Sequence, residues 1–343
     1  MTPSPAKQRT TIREVAARAG VSLGTASRAL SDSGPVAKTT RDKVLSAAAA
    51  LDFRPNAHAR SLRSAHSRSL GLLIPDVRNP FFSELAHEIE QVARTHGMTT
   101  LLCNADESPE QMQLYVQALR EHRVDGVIAA PFVDAHDALG ALTADGIPVV
   151  HVDRHDPAST TPSVTSDTSA AIDQAIAHLA FLGHTHIGCI SGPARTSTGA
   201  ERLAEVRASA QAHNLALDVV PGDFQEESGR RGAAHLLERG HHAIIAADSL
   251  MTVGALRETV HRGIHLGVEL DLIGFDDIPM FTLTTPAISV ISQDVRGMGR
   301  IAATMIHALH DGDTPESVRL PAHLVLRGST APLSVPNDGR PAQ

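Results

Sequence analysis

Residues 11–30 read TIREVAARAGVSLGTASRAL, and this stretch decides the fold of the N-terminal segment. Thr11-Ile12-Arg13-Glu14 has the form of a capping box: the Thr11 hydroxyl can accept the Glu14 amide while the Glu14 carboxylate reaches back to the Thr11 amide. The spacing predicts a helix from Ile12 to Ala19 with Ile12, Val15, Ala16 and Ala19 on one buried stripe. Gly20 supplies a left-handed stop. Val21 plugs the turn, and Ser22 caps a second helix through Leu30. Two short helices joined by a glycine-containing turn make a helix-turn-helix, whose second helix enters the major groove of DNA.

Charge agrees with that reading. Residues 1–68 hold 12 Lys/Arg against 4 Asp/Glu, a balance of +8, whereas the rest of the chain stands at −16 within a total of −8. A basic head on an acidic body is the electrostatic footprint of nucleic-acid binding by the head. With 343 residues, two or three domains are expected, and 42% hydrophobic residues exclude a disordered chain. The first residues, MTPSPAKQRTT, lack the apolar centre of a secretory signal. No apolar run reaches the roughly 18–20 residues of a membrane helix. Two cysteines, Cys103 and Cys189, imply no disulfide framework. The expectation is a cytoplasmic protein without a membrane partner.

The stretch VAKTTRDKVLSAAAALDFRPNAHARSLRS, residues 36–64, follows at matching spacing. Together with residues 11–30 it resembles the headpiece of the LacI (lactose repressor)/GalR family. The resemblance implies that Leu23 and Gly24 open the recognition helix and that Arg28 reads a guanine, since its fork fits O6 and N7 together. Ser22 and Thr25 would serve phosphates, with Thr11 and Ser27 nearby, and Ala26 would touch a thymine methyl. The third helix, running to about Asp52, should bury Val44, Leu45, Ala48 and Leu51. It departs from the family at its start, where Ala37 replaces the usual Ser or Thr and leaves no side-chain cap unless Thr39 caps a later one. Asn56 can cap a short helix, Ala57 to Leu62, too short to be stable alone. The family's hinge helix places Asn56, Ala59 and Leu62 at the minor groove, with Leu62 as an apolar wedge.

After Ser69 the pattern becomes short apolar strands alternating with amphipathic helices, in two rounds. Strands are expected at 70–75, 99–103, 126–130 and 147–152, then at 187–190, 243–246 and 272–275. Two rounds of βαβ indicate two doubly wound lobes with parallel sheets, whose ligands bind beyond the strands' carboxyl ends. Short crossing strands near 288–293 and 324–326 would hinge the lobes. The fold class is therefore α/β, an all-α headpiece followed by a two-lobed core. That core is similar to periplasmic sugar-binding proteins. The expected domains are 10–56 for DNA binding, 57–68 for hinge and linker, 69–331 for effector binding and dimerisation, and 332–343 as a flexible tail. Within the core, 69–163 and 291–322 form the N-lobe, and 164–290 and 323–331 the C-lobe.

The resemblance puts ligand-binding residues at strand ends: Asp76, Phe81 and Phe82 of NPFF, Asp153-Arg154, Arg202, Asp276 of GFDD, and Gln293. Phe81 and Phe82 could equally be core, and Asp153–Arg154 a surface ion pair. Where the family typically has Asn-Asp, this chain has Asp248-Ser249, so an acceptor-only carboxylate replaces an amide. Twenty histidines invite a metal, and His184, His186 and Cys189 lie close together in sequence. However, Gly183-His184 fits an ordinary helix-to-strand turn, and no set has a ligand spacing, so no metal or cofactor is expected. No phosphate loop, nucleophile elbow or metalloprotease signature occurs, so no enzyme is expected.

The implied function is a homodimeric regulator, most relatives being repressors. It would bind a pseudo-palindromic operator under control of a small effector, by the resemblance a sugar or sugar derivative. The alternative is a solute receptor for a sugar or nucleoside without a regulatory role, which the basic head disfavours. No heptad repeat follows Ala331, which argues against a coiled-coil tetramer. If Leu62 is a wedge, Leu62→Ala should weaken operator binding far more than binding to scrambled duplex, since only the right central step kinks cheaply. Fluorescence anisotropy on both duplexes checks this, and equal losses would make Leu62 plain linker.

Overall fold

A computed structural model of the chain describes residues 10–31, 34–53, 67–132 and 136–330. The expected hinge helix with Asn56, Ala59 and Leu62, and the tail after Ala331, lie outside the described residues. The chain divides into two compact units, Met1–Ser67 and Arg68–Gln343.

In the first unit, helices α1 (Ile12–Ala19), α2 (Leu23–Ser31) and α3 (Lys38–Ala50) surround a small core. The capping box forms: Thr11 N–H donates to Glu14 Oε2 at 2.6 Å, and Glu14 N–H donates to Thr11 Oγ1 at 3.4 Å. Gly20 takes φ 67°, in the left-handed region where a side chain would be strained. Val15 and Ala16 of α1, Ala26 and Ala29 of α2, and Val44, Ala47 and Ala48 of α3 form the centre, mostly small residues that let the helices approach closely. Leu45 differs from expectation. It is 48% exposed, because Val44 takes the inward position and the next residue turns away by about 100°. Leu51 is half-buried at the rim of this cluster. The bare cap at α3 is real: Ala37 sits at the N-cap with φ −55°, ψ 138° and no side-chain bond, and the helix starts at Lys38 rather than later.

The second unit holds two six-stranded sheets. The first contains β1 (Ser69–Ile74), β2 (Thr99–Asn104), β3 (Gly126–Ala129), β4 (Val149–Val152), β5 (Ser163–Asp167) and β11 (Val318–Pro321), in the order β11-β5-β4-β3-β1-β2 and parallel throughout. The second contains β6 (His186–Ser191), β7 (Ala216–Pro221), β8 (Ala243–Ala246), β9 (Asp271–Phe275), β10 (Ser289–Ser292) and β12 (His323–Val325). Its order is β12-β10-β9-β8-β6-β7, with only β12 antiparallel. Helices α4 (Pro80–Thr95), α5 (Pro109–His122), α6 (His136–Ala144) and α12 (Val295–His310) belong to the first lobe. Helices α7 (Ser169–Phe181), α8 (Ser197–Ala212), α9 (Glu226–Glu238), α10 (Ser249–Arg262) and the short α11 (Pro279–Leu283) belong to the second. Separate apolar clusters fill the two lobes, as parallel sheets covered on both faces require.

The chain passes between lobes after Asp167, after Ser292 and between Pro321 and His323. The expected boundaries at 163/164 and 290/291 would have cut through β5 and β10. β5 escaped the sequence reading because SVTSD alternates polar residues, and β10 binds wholly into the C-lobe sheet. Helices α9 and α10 lie backbone to backbone. A Cβ at Gly254 would fall 1.9 Å from the Glu226 carbonyl, and one at Gly229 would fall 2.2 Å from the Met251 carbonyl.

Ala37→Ser should supply the missing cap, its hydroxyl accepting from Thr40 N–H, and stabilise the head by about 1 kcal/mol. Hydrogen exchange of head amides, or thermal melting followed on the head, checks this. An unchanged or lowered stability would mean that the cap site cannot hold a hydroxyl.

Candidate functional site

The outward face of α2 carries Leu23, Gly24, Ser27 and Arg28, spaced i, i+1, i+4 and i+5. Leu23 is 39% exposed and Arg28 is exposed. Ser22 and Thr25 are bonded to each other, Oγ to Oγ1 at 2.9 Å, and Thr25 N–H donates to Ser22 Oγ, which caps the helix. Ala26 is a correction. It is fully buried in the head core between Val15 and Val44, so it cannot meet a thymine methyl and serves packing instead. Thr11 spends its hydroxyl in the capping box and is exposed.

In the core, all nine expected ligand residues line one cleft between the lobes, about 350 Å³ and partly open to solvent. Asp76, Phe81, Phe82, Asp153 and Arg154 come from the first lobe. Arg202, Asp248 and Asp276 come from the second, and Gln293 stands at the crossing after β10. The convergence follows from topology, because parallel strands of both sheets end at the cleft. Asn79, Glu107, Thr198 and Phe224 also line it and had not been singled out as ligand residues. Glu107 and Phe224 follow β2 and β7, so the strand-end rule could have found both.

Several of these residues hold left-handed backbone: Glu107 (φ 54°), Asp153 (φ 61°), Phe224 (φ 65°) and Asp276 (φ 60°). Asp153 and Asp276 occupy equivalent positions, each directly after a strand, one in each lobe. Aspartate tolerates this region better than most residues. Strain retained at four cleft positions is a mark of a functional surface.

Charge is concentrated here. Arg154, 2% exposed, makes a bidentate pair with Glu107, Nη2 to Oε1 at 2.6 Å and Nη1 to Oε2 at 3.1 Å. Its guanidinium lies 5.1 Å from the Phe224 ring centre, 5.5 Å from Phe132 and 5.9 Å from Phe82. Asp153–Arg154 is thus no surface ion pair: both are buried, and Arg154 pairs with Glu107 more closely than with Asp153, at 3.8 Å. Arg202 donates to the Ala247 carbonyl at 2.9 Å, sits 4.2 Å from the Phe275 ring and 4.0 Å from Asp153. Phe81 and Phe82 are 4% exposed and meet edge to face at 5.0 Å, serving as cleft wall and core at once.

Hydrogen bonds cross the cleft. Asn79 Nδ2 donates to Asp248 Oδ2 at 3.2 Å, and Ser249 Oγ donates to Asn79 Oδ1 at 2.9 Å. Gln225 reaches Asp76, and Ser197 Oγ accepts from His155 N–H at 3.0 Å. Asp248 also caps α10 by accepting from Leu250 and Met251 N–H.

Burial pushes the Asp248 carboxyl up to about 7, with the nearby Asp276 charge adding to it and the Met251 N–H opposing. Burial likewise raises Asp153 to about 6 against the pull of Arg202 and Arg154. Asp276 is raised by burial, against Arg202, Gln293 and Ser249. At Asp76 burial acts upward too, but the bonds from Arg78 outweigh it and hold the carboxyl below its ordinary range.

Of the histidines, His184 donates to or accepts from Asp271 at 2.6 Å, a helix-to-strand turn contact. His186 lies elsewhere, 6.0 Å from His241, and Cys189 is fully buried with its thiol pushed up to about 12 by desolvation. Among the described residues no group of three or more such side chains could hold a metal, and no helix is long and apolar enough to cross a membrane.

Known proteins share this arrangement. Residues 11–56 match the family described as bacterial regulatory proteins, lacI family, and residues 176–330 match a periplasmic binding protein-like domain. The HTH-type transcriptional regulator DegA of Bacillus subtilis is 31% identical over 95% of this chain and 99% of its own length. The ribose operon repressor of Halalkalibacterium halodurans is 33% identical over 94% of this chain and 97% of its own. Among solved structures, the lac repressor dimer bound to operator and the anti-inducer ONPF superposes with a TM-score of 0.82. It is 26% identical and matched over 94% of this chain and 100% of that one.

A raised carboxyl gives a pH-dependent stability with a definite sign. The folded chain binds a proton at Asp248 that the unfolded chain has lost, so the charged form costs stability as pH rises from about 4 to about 7. Asp248→Asn removes that cost. The stability of Asp248→Asn relative to the parent should therefore climb by more than about 1 kcal/mol between pH 4 and pH 8, mostly below pH 7. Urea denaturation of both proteins across that range checks it, and a flat difference would mean Asp248 is ionised throughout.

Proposed function

The chain belongs to the LacI family of transcriptional regulators, and on that premise we propose that its operator affinity is set by a polyhydroxylated effector held in the interlobe cleft. The observation that carries this is the convergence of Arg202, Asp153, Asp276 and Gln293 from both lobes into one buried space beside aromatic walls. Each hydroxyl of a buried ligand needs a partner, and carboxylates at strand ends accept such donors. The repressors of ribose operons among its relatives favour a sugar, as does the core's similarity to periplasmic binding proteins.

The protein acts as a homodimer in the cytoplasm. Leu23, Ser27 and Arg28 face the major groove, with Gly24 allowing close backbone approach. Phosphates fall to Ser22, Thr25 and Thr11, while Asn56, Ala59 and Leu62 belong to the minor-groove hinge. Residues 10–56 bind DNA, 57–68 link, and 69–331 sense the effector and dimerise. The effector binds two arrangements of the lobes unequally, because cleft residues from both lobes reach it together only when the lobes are close. That difference in affinity is the whole of the coupling to DNA.

Selection from random DNA with the full chain should return a pseudo-palindrome, bound on the order of 10³-fold or more above scrambled duplex. Binding should fall steeply with salt. Single half-sites alone would overturn the dimeric reading. Asp276→Asn and Arg202→Ala should retain operator binding while effector affinity drops by tens to hundreds of fold, each lost charge-assisted bond being worth about 1.5–3 kcal/mol. Calorimetry with sugars, alongside operator binding, decides it. Both variants binding effector like the parent would move the site elsewhere.

A further inference from the structure

Matching the cleft's charges one against another leaves a surplus on one side. Glu107 pairs with Arg154 at 2.6 Å and Asp76 with Arg78 at 2.8 Å, while Arg202, 4.0 Å from Asp153, also offsets Asp276 and Asp248 at longer range. Asp248 and Asp276 remain, 6% and 4% exposed. Neither has a cation within 4.0 Å among the described residues. Asp248 accepts from two helix N–H groups and the Asn79 amide, and Asp276 accepts from Gln293 Nε2. The Asp276 charge is close enough to raise the cost of ionising Asp248.

A second observation points the same way. Gln293, 8% exposed, holds its amide nitrogen on Asp276 and leaves Oε1 buried with no donor. With Asp248 ionised, the unfilled capacity around Asp248, Asp276 and Gln293 is thus all acceptor. A hydroxyl would bring one donor and no charge. A carboxylate or phosphate would add acceptors to a site already in excess. A protonated amine brings several N–H donors and the missing positive charge together.

We infer that the effector carries a protonated amine among its hydroxyls, seated between Asp248 and Asp276 beside Gln293: an amino sugar or a similarly sized polyhydroxylated amine. This rests on the interlobe-cleft reading above. Asp248 is the discriminating residue, because an amide there would halve the negative charge and supply a donor of its own.

The test titrates the full chain calorimetrically, near neutral pH in an amine-free buffer, with matched pairs. Glucosamine, galactosamine, mannosamine and an iminoribitol are set against glucose, galactose, mannose and ribose, with N-acetylglucosamine and glucuronate as controls. At least one amine should bind tenfold or more tighter than its neutral parent, and N-acetylation should abolish the gain. Asp248→Asn should erase that preference, operator binding reporting that the variant is folded. If Asp248→Asn does not fold, the pairs on the unaltered chain still decide. Neutral sugars or glucuronate binding as tightly as the amines, with Arg202→Ala abolishing that binding, would overturn the inference and leave the cleft reading intact. A preference for amines that survives in folded Asp248→Asn would also overturn it. Silence from every compound would sink both readings together.

Discussion

A guanidinium without water around it organises the sensing core. Arg154 is buried beside three phenyl rings, and only the fork of Glu107 satisfies its two terminal nitrogens. Removing a partner from a buried pair leaves an uncompensated charge and costs about 3–5 kcal/mol. The pair therefore demands that the loops after β2 and β4 stay in register with Phe224 from the opposite lobe. Glu107 takes left-handed backbone to reach it, and so does Phe224. The cleft is consequently pre-shaped in the first lobe and completed by the second.

That arrangement explains why the lobes couple to a ligand. Asn79 caps α4 and also reaches across to Asp248 and Ser249, so one side chain serves a helix start and the contact between lobes. Bonds of this kind are individually worth about 1 kcal/mol, small enough for a ligand to outweigh. A device built from several weak crossings can be shifted by one small molecule, whereas one large apolar interface could not. The three chain crossings near Asp167, Ser292 and Ala322 join the lobes.

The head follows a different economy. Its core is made of alanines and valines, with a glycine stop and one complete capping box, and it omits the cap on α3. Small side chains allow close helix packing but bury little area, so the unit has a thin stability margin. Its outward face on α2 carries few large groups, and Gly24 leaves room for the backbone to approach a partner.

Local rules were enough for much of this. The capping box, the Gly20 stop and the bounds of α1 follow from residues within one turn of each other. The alternation of apolar strands and amphipathic helices named two doubly wound lobes, because parallel strands buried on both faces must read as apolar runs. The strand-end rule, with the family resemblance, picked out all nine of the expected cleft residues. What tertiary structure alone decided concerns partners distant in sequence. The family resemblance gave Ala26 to DNA, yet it is fully buried in the head core with Val15 and Val44. β5 has no apolar signature and becomes a strand only because β4 and β11 flank it. Glu107 and Phe224 stand at strand ends in the sequence, but only the fold shows that both meet Arg154. Asp248 was visible as a departure from the family pattern. Only the fold shows that it shares the cleft with Asp276 and, among the described residues, has no cation within 4.0 Å, because burial and charge pairing are properties of what surrounds a residue rather than of its neighbours along the chain.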